Sequence, residues 1–185
     1  MTDTQIIELY WLRDERAIGA SDEYHGAACM ALSQRILNNR EDAEECVNDT
    51  WMRSWNTIPP TRPVSLRAFF LKIVRNLSLN RMEKNSAQKR GGDQTAVLLD
   101  ELKECVPSGE VVEDIVMARE LSSVISEFLS KQSKQDAALF LQRYFYLLPL
   151  SEAAEKVYLT ETVAAMRLSR IRKKLRMYLK EVYDL

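Results

Sequence analysis

Residues 150–179 read LSEAAEKVYLTETVAAMRLSRIRKKLRMYL. The stretch predicts a short helix capped by Ser151, with Glu152 in its first turn and Ala153, Ala154 and Val157 on its inner side. Leu159 and Thr160 form a turn, and Thr160 caps a second, longer helix. Paired alanines let two helices cross closely, which is the pattern of a helix-turn-helix. The second helix carries Arg167, Arg170, Arg172, Lys173, Lys174 and Arg176. Such a helix fits the major groove, its first turns against bases and its cations against phosphates. A basic amphipathic helix packed on a neighbour would carry the same residues, so this segment alone leaves both readings open.

Upstream, helical spacing continues at 113–130 and 134–148, with the two helices of the quoted stretch at 151–158 and 161–182. In the first half, a helix is expected from Thr4 to about Ile18. A second runs from Ser21, taken as its N-cap, to Leu37, and a fourth from about Ser65 to Lys84. The fourth places Leu66, Phe69, Phe70, Ile73, Val74 and Leu77 inward. The Gly91–Gly92 pair breaks the pattern, and residues 91–112 are acidic, with Pro107 and Gly109. They read as a linker with one helical turn near Leu98–Cys105. The expected architecture is all-α, with two small helical domains at 1–90 and 113–185 joined by a flexible acidic linker at 91–112.

The formal net charge of −1 hides an alternation. Residues 1–60 carry a net −6, residues 61–90 a net +7, residues 91–130 a net −7 and residues 131–185 a net +5. Two basic blocks in a near-neutral chain suggest two anion contacts, which one long polyanion could satisfy. No run of about 18 apolar residues occurs and no secretory leader is evident, so a cytoplasmic protein without membrane insertion is expected. Cys29, Cys46 and Cys105 share no short spacing and read as reduced core thiols rather than a zinc site.

Residues 39–60, NREDAEECVNDTWMRSWNTIPP, could be metal-binding, catalytic or a docking surface. Stepping about 100° per residue puts Ala43, Cys46, Val47, Thr50, Trp51, Ser54 and Ile58 in one sector. Glu45, Asp49, Met52, Arg53 and Asn56 fall opposite, Asn48 and Trp55 on the border, and Pro59 and Pro60 end the helix. With Cys46 inward, the metal reading loses its thiol. Adjacent acids such as Glu44 and Glu45 diverge and cannot act as an acid–base pair. The lone His25 and the lack of a Gly-rich phosphate loop leave no catalytic set, so no enzyme, metal or cofactor is expected.

Three ordered segments carry a resemblance. EDAEECVNDTWMRSW is similar to region 2.2 of bacterial RNA polymerase sigma factors of the extracytoplasmic-function group, within the sigma-70 family. LRAFFLKIVRNLSLNR resembles regions 2.3 and 2.4, and FLQRYFYLLPLSEAAEKVYLTETVAAMRLSRIRKKL resembles region 4. The resemblance covers nearly the whole chain and implies a transcription initiation factor. Region 2.2 would dock on the β′ coiled coil of core RNA polymerase through Glu45, Asn48, Asp49 and Met52. Regions 2.3 and 2.4 would melt and read the minus-10 promoter element through Lys72, Arg75, Asn76, Asn80, Arg81 and Lys84, with Asn76 at the base-reading position. Phe69 stands where the family has a tryptophan, and its inward placement gives it a packing role.

Region 4 would meet the β flap and read the minus-35 element as duplex, through Thr160, Ala165, Met166, Arg167, Ser169, Arg170 and Lys173. The family also implies an anti-sigma protein as a partner. The chain departs from the pattern twice: Ala165 stands where a Lys or Arg is common, and Tyr158 replaces the usual turn glycine. Weaker or more apolar minus-35 reading is therefore expected. Two other readings compete: a helix-turn-helix regulator that acts without polymerase, and a sigma-like adaptor that has lost promoter reading.

Overall fold

A computed structural model describes residues 1–86, 98, 101, 102, 105 and 115–183, without the side chains of Ser86 and residues 115–120. The described residues are helical and contain no strand. They fall into two compact units, Met1–Gly91 and Gly92–Leu185. None of the described helices is long and apolar enough to cross a membrane.

The first unit holds α1 (Asp3–Trp11), α2 (Arg16–Leu37), α3 (Arg40–Thr57) and α4 (Leu66–Ser86). Thr2 opens α1 with a capping box: its hydroxyl accepts from the Gln5 N–H, and the Gln5 side chain accepts from the Thr2 N–H. The helix expected to run to Ile18 stops at Trp11, where Arg13 turns left-handed with φ 55°. Apolar spacing ran on through this break, but Asp14 accepts the Arg16 N–H at 3.0 Å and so starts α2 at Arg16. Ser21 is therefore not a cap. It lies buried inside α2, donating to the Ala17 carbonyl and sharing a hydrogen bond with the Tyr10 hydroxyl at 2.8 Å. Asn38 ends α2 with φ 48°, and Asn39 caps α3 by accepting from Asp42 N–H.

Helices α2, α3 and α4 pack on one another around Leu32, Ile36, Val47, Trp51, Phe70 and Val74. The Phe70 ring is fully buried, edge-on to Trp51 at 5.0 Å and to His25 at 5.5 Å. On α4 the inward stripe is Leu66, Phe70, Leu71, Val74, Leu77 and Ser78. Phe69 and Ile73 are only half-buried, and the expected stripe omitted Leu71. Polar groups within this core are paired: Ser33 and Ser78 share a 2.8 Å bond, and Thr50 donates to the Cys46 carbonyl. Cys29, Cys46 and Cys105 are buried and none forms a disulfide. Burial pushes the Cys29 thiol up to about 12 and raises that of Cys46, so both stay protonated.

The second unit holds α5 (Ile115–Ser130), α6 (Lys134–Phe140), α7 (Leu150–Lys156) and α8 (Glu161–Val182). The helix expected at 134–148 is regular only to Phe140 and continues as one π-helical stretch, Leu141–Phe145. Leu147 then takes φ 54° with its side chain buried, and Arg143 donates to the Leu148 carbonyl at 2.9 Å. Helix α7 begins behind Pro149 with no side-chain cap, so Ser151 does not cap it. Thr160 does cap α8, accepting from the Val163 N–H. Ala164, Leu168, Ile171, Leu175 and Leu179 form the buried stripe of α8, which packs on α5, α6 and α7. Most of the stretch read as a linker lies outside the described residues. Leu98 and Cys105 within it are buried, and Glu101 bonds to Tyr144 and Arg172 of the second unit.

Candidate functional site

The outward face of α3 is set by its buried stripe. Ala43, Cys46, Val47, Thr50, Trp51 and Ser54 are inward, so Glu45, Asn48, Asp49 and Met52 emerge together on the solvent side. Met52 is 56% exposed, an apolar side chain with no core to enter. Asn48, placed on the border by projection, is exposed as well.

Helix α4 carries its polar face alongside. Lys72, Asn76, Asn80 and Lys84 are exposed, while Arg75 and Arg81 are half-buried. Burial lowers the Arg75 guanidinium. Arg81 reaches back to α3, with Nη1 2.8 Å from Asp42 Oδ1 and Nη2 2.6 Å from Glu45 Oε1. Asn85 donates to the other Asp42 oxygen at 3.1 Å. The Arg81 hydrogen bond holds the Glu45 carboxyl below its ordinary range. An arginine expected to face DNA is thus joined to a carboxylate expected to face polymerase. Among the other cations of the +7 block, Arg67 is exposed, Arg62 pairs with Glu8 over the Trp11 ring, and Lys89 and Arg90 lie outside the described residues.

In the second unit, Thr160, Ala165, Met166, Arg170 and Lys173 are exposed on α8, and Arg167 and Ser169 are half-buried. Arg167 donates to Gln135 Oε1 at 2.8 Å and to Asp136 Oδ1 at 3.2 Å at the start of α6. Gln135 in turn donates to the Val157 carbonyl at 2.8 Å, joining α6, the turn and α8. Arg172 faces away from the candidate reading surface, bonding to Tyr144 Oη at 2.6 Å and Glu101 Oε2 at 2.9 Å.

Asp42, Gln135 and Glu101 were missed from sequence. They are 39, 32 and 71 positions from the arginines they hold, and no periodicity reports such pairings. Of the expected reading-helix residues, Ala165, Met166, Arg170 and Lys173 are exposed on α8. What differs is that Arg81 and Arg167 already have carboxylate partners within the chain.

Residues 23–88 match the family described as Sigma-70 region 2. That span covers most of α2 and all of α3 and α4, the helices that form both faces of the first unit. A solved structure, that of CnrH in complex with the cytosolic domain of CnrY, is similar over 97% of each chain, with 20% identity and a TM-score of 0.42. No curated protein matches the sequence. The family match covers about a third of the chain and takes in α3, with Glu45, Asn48, Asp49 and Met52, and α4, so this part of the first unit is similar to region 2 of sigma-70 factors.

Proposed function

We propose that the chain binds core RNA polymerase and directs it to promoters, with the work divided between its units. The first unit, residues 1–90, docks on the polymerase β′ coiled coil through Glu45, Asn48, Asp49 and Met52. The observation that carries this is their common exposure on one face of α3, opposite a fully buried stripe. A face of mixed carboxylate, amide and exposed methionine suits a helical partner with cations and an apolar groove.

Lys72, Arg75, Asn76, Asn80, Arg81 and Lys84 on α4 form the candidate minus-10 surface. Asn76 is exposed, and its amide can both donate to and accept from the edge of an unpaired base. The flanking lysines supply the cationic track that single strands require. Helix α8 reads the minus-35 duplex through Thr160, Ala165, Met166, Arg167, Ser169, Arg170 and Lys173. Ala165 and Met166 favour an apolar contact such as a thymine methyl, and Arg170 and Lys173 suit phosphates. An anti-sigma protein belongs to the same reading as a regulatory partner.

Run-off transcription with reconstituted holoenzyme on a genomic fragment library tests this assignment. Discrete start sites that need both this chain and core polymerase are expected. Co-elution with core but no starts would favour the adaptor, and specific DNA retention without core would favour the independent regulator.

A further inference from the structure

Four non-glycine residues among those described have positive φ: Arg13, Asn38, Leu147 and Tyr158. In this region a Cβ crowds the neighbouring carbonyl, and only glycine sits there freely. Three of the four have an internal compensation. Arg13 donates to the Trp55 carbonyl and lies over the Trp55 ring at 5.3 Å. Asn38 is an amide residue, which tolerates the conformation. Leu147 buries its side chain to 3% exposure.

Tyr158 has no such compensation. Its φ is 58° and its side chain is 95% exposed. Its N–H donates to the Glu155 carbonyl at 3.1 Å, a bond that glycine would make equally well. A strained backbone that presents an unattached aromatic group points to a use outside the chain.

Its place narrows the use. Tyr158 lies in the turn between α7 and α8, two residues before the Thr160 cap. In a helix-turn-helix the N-terminal end of the second helix enters the major groove, so the preceding turn sits at the rim, where phosphates run. Polar contacts at this end of α8 are few: Ala165 and Met166 are exposed and uncharged, and Arg167 is held back by Gln135 and Asp136. Lys156 is exposed two positions before Tyr158.

We propose that the Tyr158 hydroxyl donates a hydrogen bond to a backbone phosphate of the duplex that α8 reads. This rests on the assignment of α8 to duplex DNA. The substitution of the turn glycine, which the sequence suggested would weaken reading, then supplies a contact in place of the cation missing at position 165.

The test uses full-length chain in holoenzyme and a promoter duplex recovered from the run-off library, with Tyr158→Phe and Tyr158→Gly. Both variants should lose about fivefold in affinity for the duplex, the worth of one hydrogen bond, with core binding unchanged. Tyr158→Gly should keep or raise the thermal midpoint of the second unit, because it relieves the backbone. That pairing of unimpaired stability with weaker DNA binding separates a contact from a folding role. Wild-type affinity in Tyr158→Phe overturns the proposal, as does a loss confined to core binding. If wild-type holoenzyme selects no duplex, the promoter reading fails and the contact falls with it.

Discussion

Helices α4 and α8 carry the two candidate DNA surfaces, and they are secured differently. Helix α4 is wedged between α2 and α3 around a ring cluster, Phe70 against Trp51 and His25. Helix α8 has an aliphatic stripe and is fixed at its margins by polar ties, Arg167 to Gln135 and Asp136 and Arg172 to Tyr144 and Glu101. The position of the ties matters as well. In the second unit they join α8 to the start of α6 and to Tyr144 and Glu101. In the first, the Arg81 tie runs between the two proposed working faces, so a partner on Glu45 and DNA on α4 share one ion-pair network.

The largest contrast should appear in the cores. Phe70→Ala removes a fully buried ring that packs against the rings of Trp51, His25 and Phe69 and should destabilise the first unit by about 3–5 kcal/mol. All three tryptophans lie in that unit, so denaturant unfolding followed by tryptophan fluorescence reports it directly. Leu168→Ala should cost the second unit about 2–5 kcal/mol and leave that fluorescence transition in place. Coincident shifts from both variants would show that the units do not unfold separately.

Next in size is the docking face. Asp49→Arg reverses a charge on an exposed position, so the fluorescence transition should stay where it is. Binding to core polymerase should fall by roughly a hundredfold or more, since a misplaced like charge at an interface costs several kcal/mol. Core binding at full strength would remove α3 from the docking assignment.

The polar ties of α8 make a prediction that has no counterpart in α4. Burial pushes the Tyr144 phenol up to about 12, with Arg172 opposing and Glu101 adding to the shift. The neutral form is favoured in the folded state. The stabilisation is therefore complete below the ordinary tyrosine value near 10 and is lost as pH rises through about 12. A two-unit shift bounds the effect at about 2–3 kcal/mol. Hydrogen exchange in the second unit should loosen over this window, and Tyr144→Phe should remove that dependence. Unchanged alkaline loosening in the variant would place the titration elsewhere.

Much of this was readable in advance, for identifiable reasons. The 3.6-residue repeat placed Cys46, Trp51 and Thr50 inward and Asp49 and Met52 outward, because burial on α3 is decided by one stripe. Thr160 was legible as a cap because the signal is local. Ser21 and Ser151 misled because serine is also common inside helices, where Ser21 bonds its own i−4 carbonyl. Phe69 falls in the apolar stripe of α4 by helical spacing, yet one step of about 100° from Phe70 is enough to leave it half-buried. The arginine ties were illegible altogether, since each joins helices far apart in sequence. Charge blocks count cations but not their partners.

That last point sharpens into the smallest predicted effect. Lys84 and Arg81 both lie on the α4 face, but Lys84 is exposed whereas Arg81 faces Asp42 and Glu45. An uncommitted lysine that contacts a phosphate releases a counterion on binding, so Lys84→Gln should lower the salt dependence of promoter binding by about one unit of slope. Arg81 is already neutralised by two carboxylates, and Arg81→Gln should lower the slope by less. The same variant should return the Glu45 carboxyl upward towards its ordinary value, visible in an NMR titration, because the Arg81 hydrogen bond that depresses it is gone. With Arg81 present, the pair's contribution holds above the ordinary glutamate value and fades as pH falls through the lowered one. Both partners reach solvent, so this contribution is small. Equal slopes for the two variants would mean that Arg81 leaves its carboxylates to grip DNA, and that polymerase docking at Glu45 and promoter binding at α4 are linked through its release.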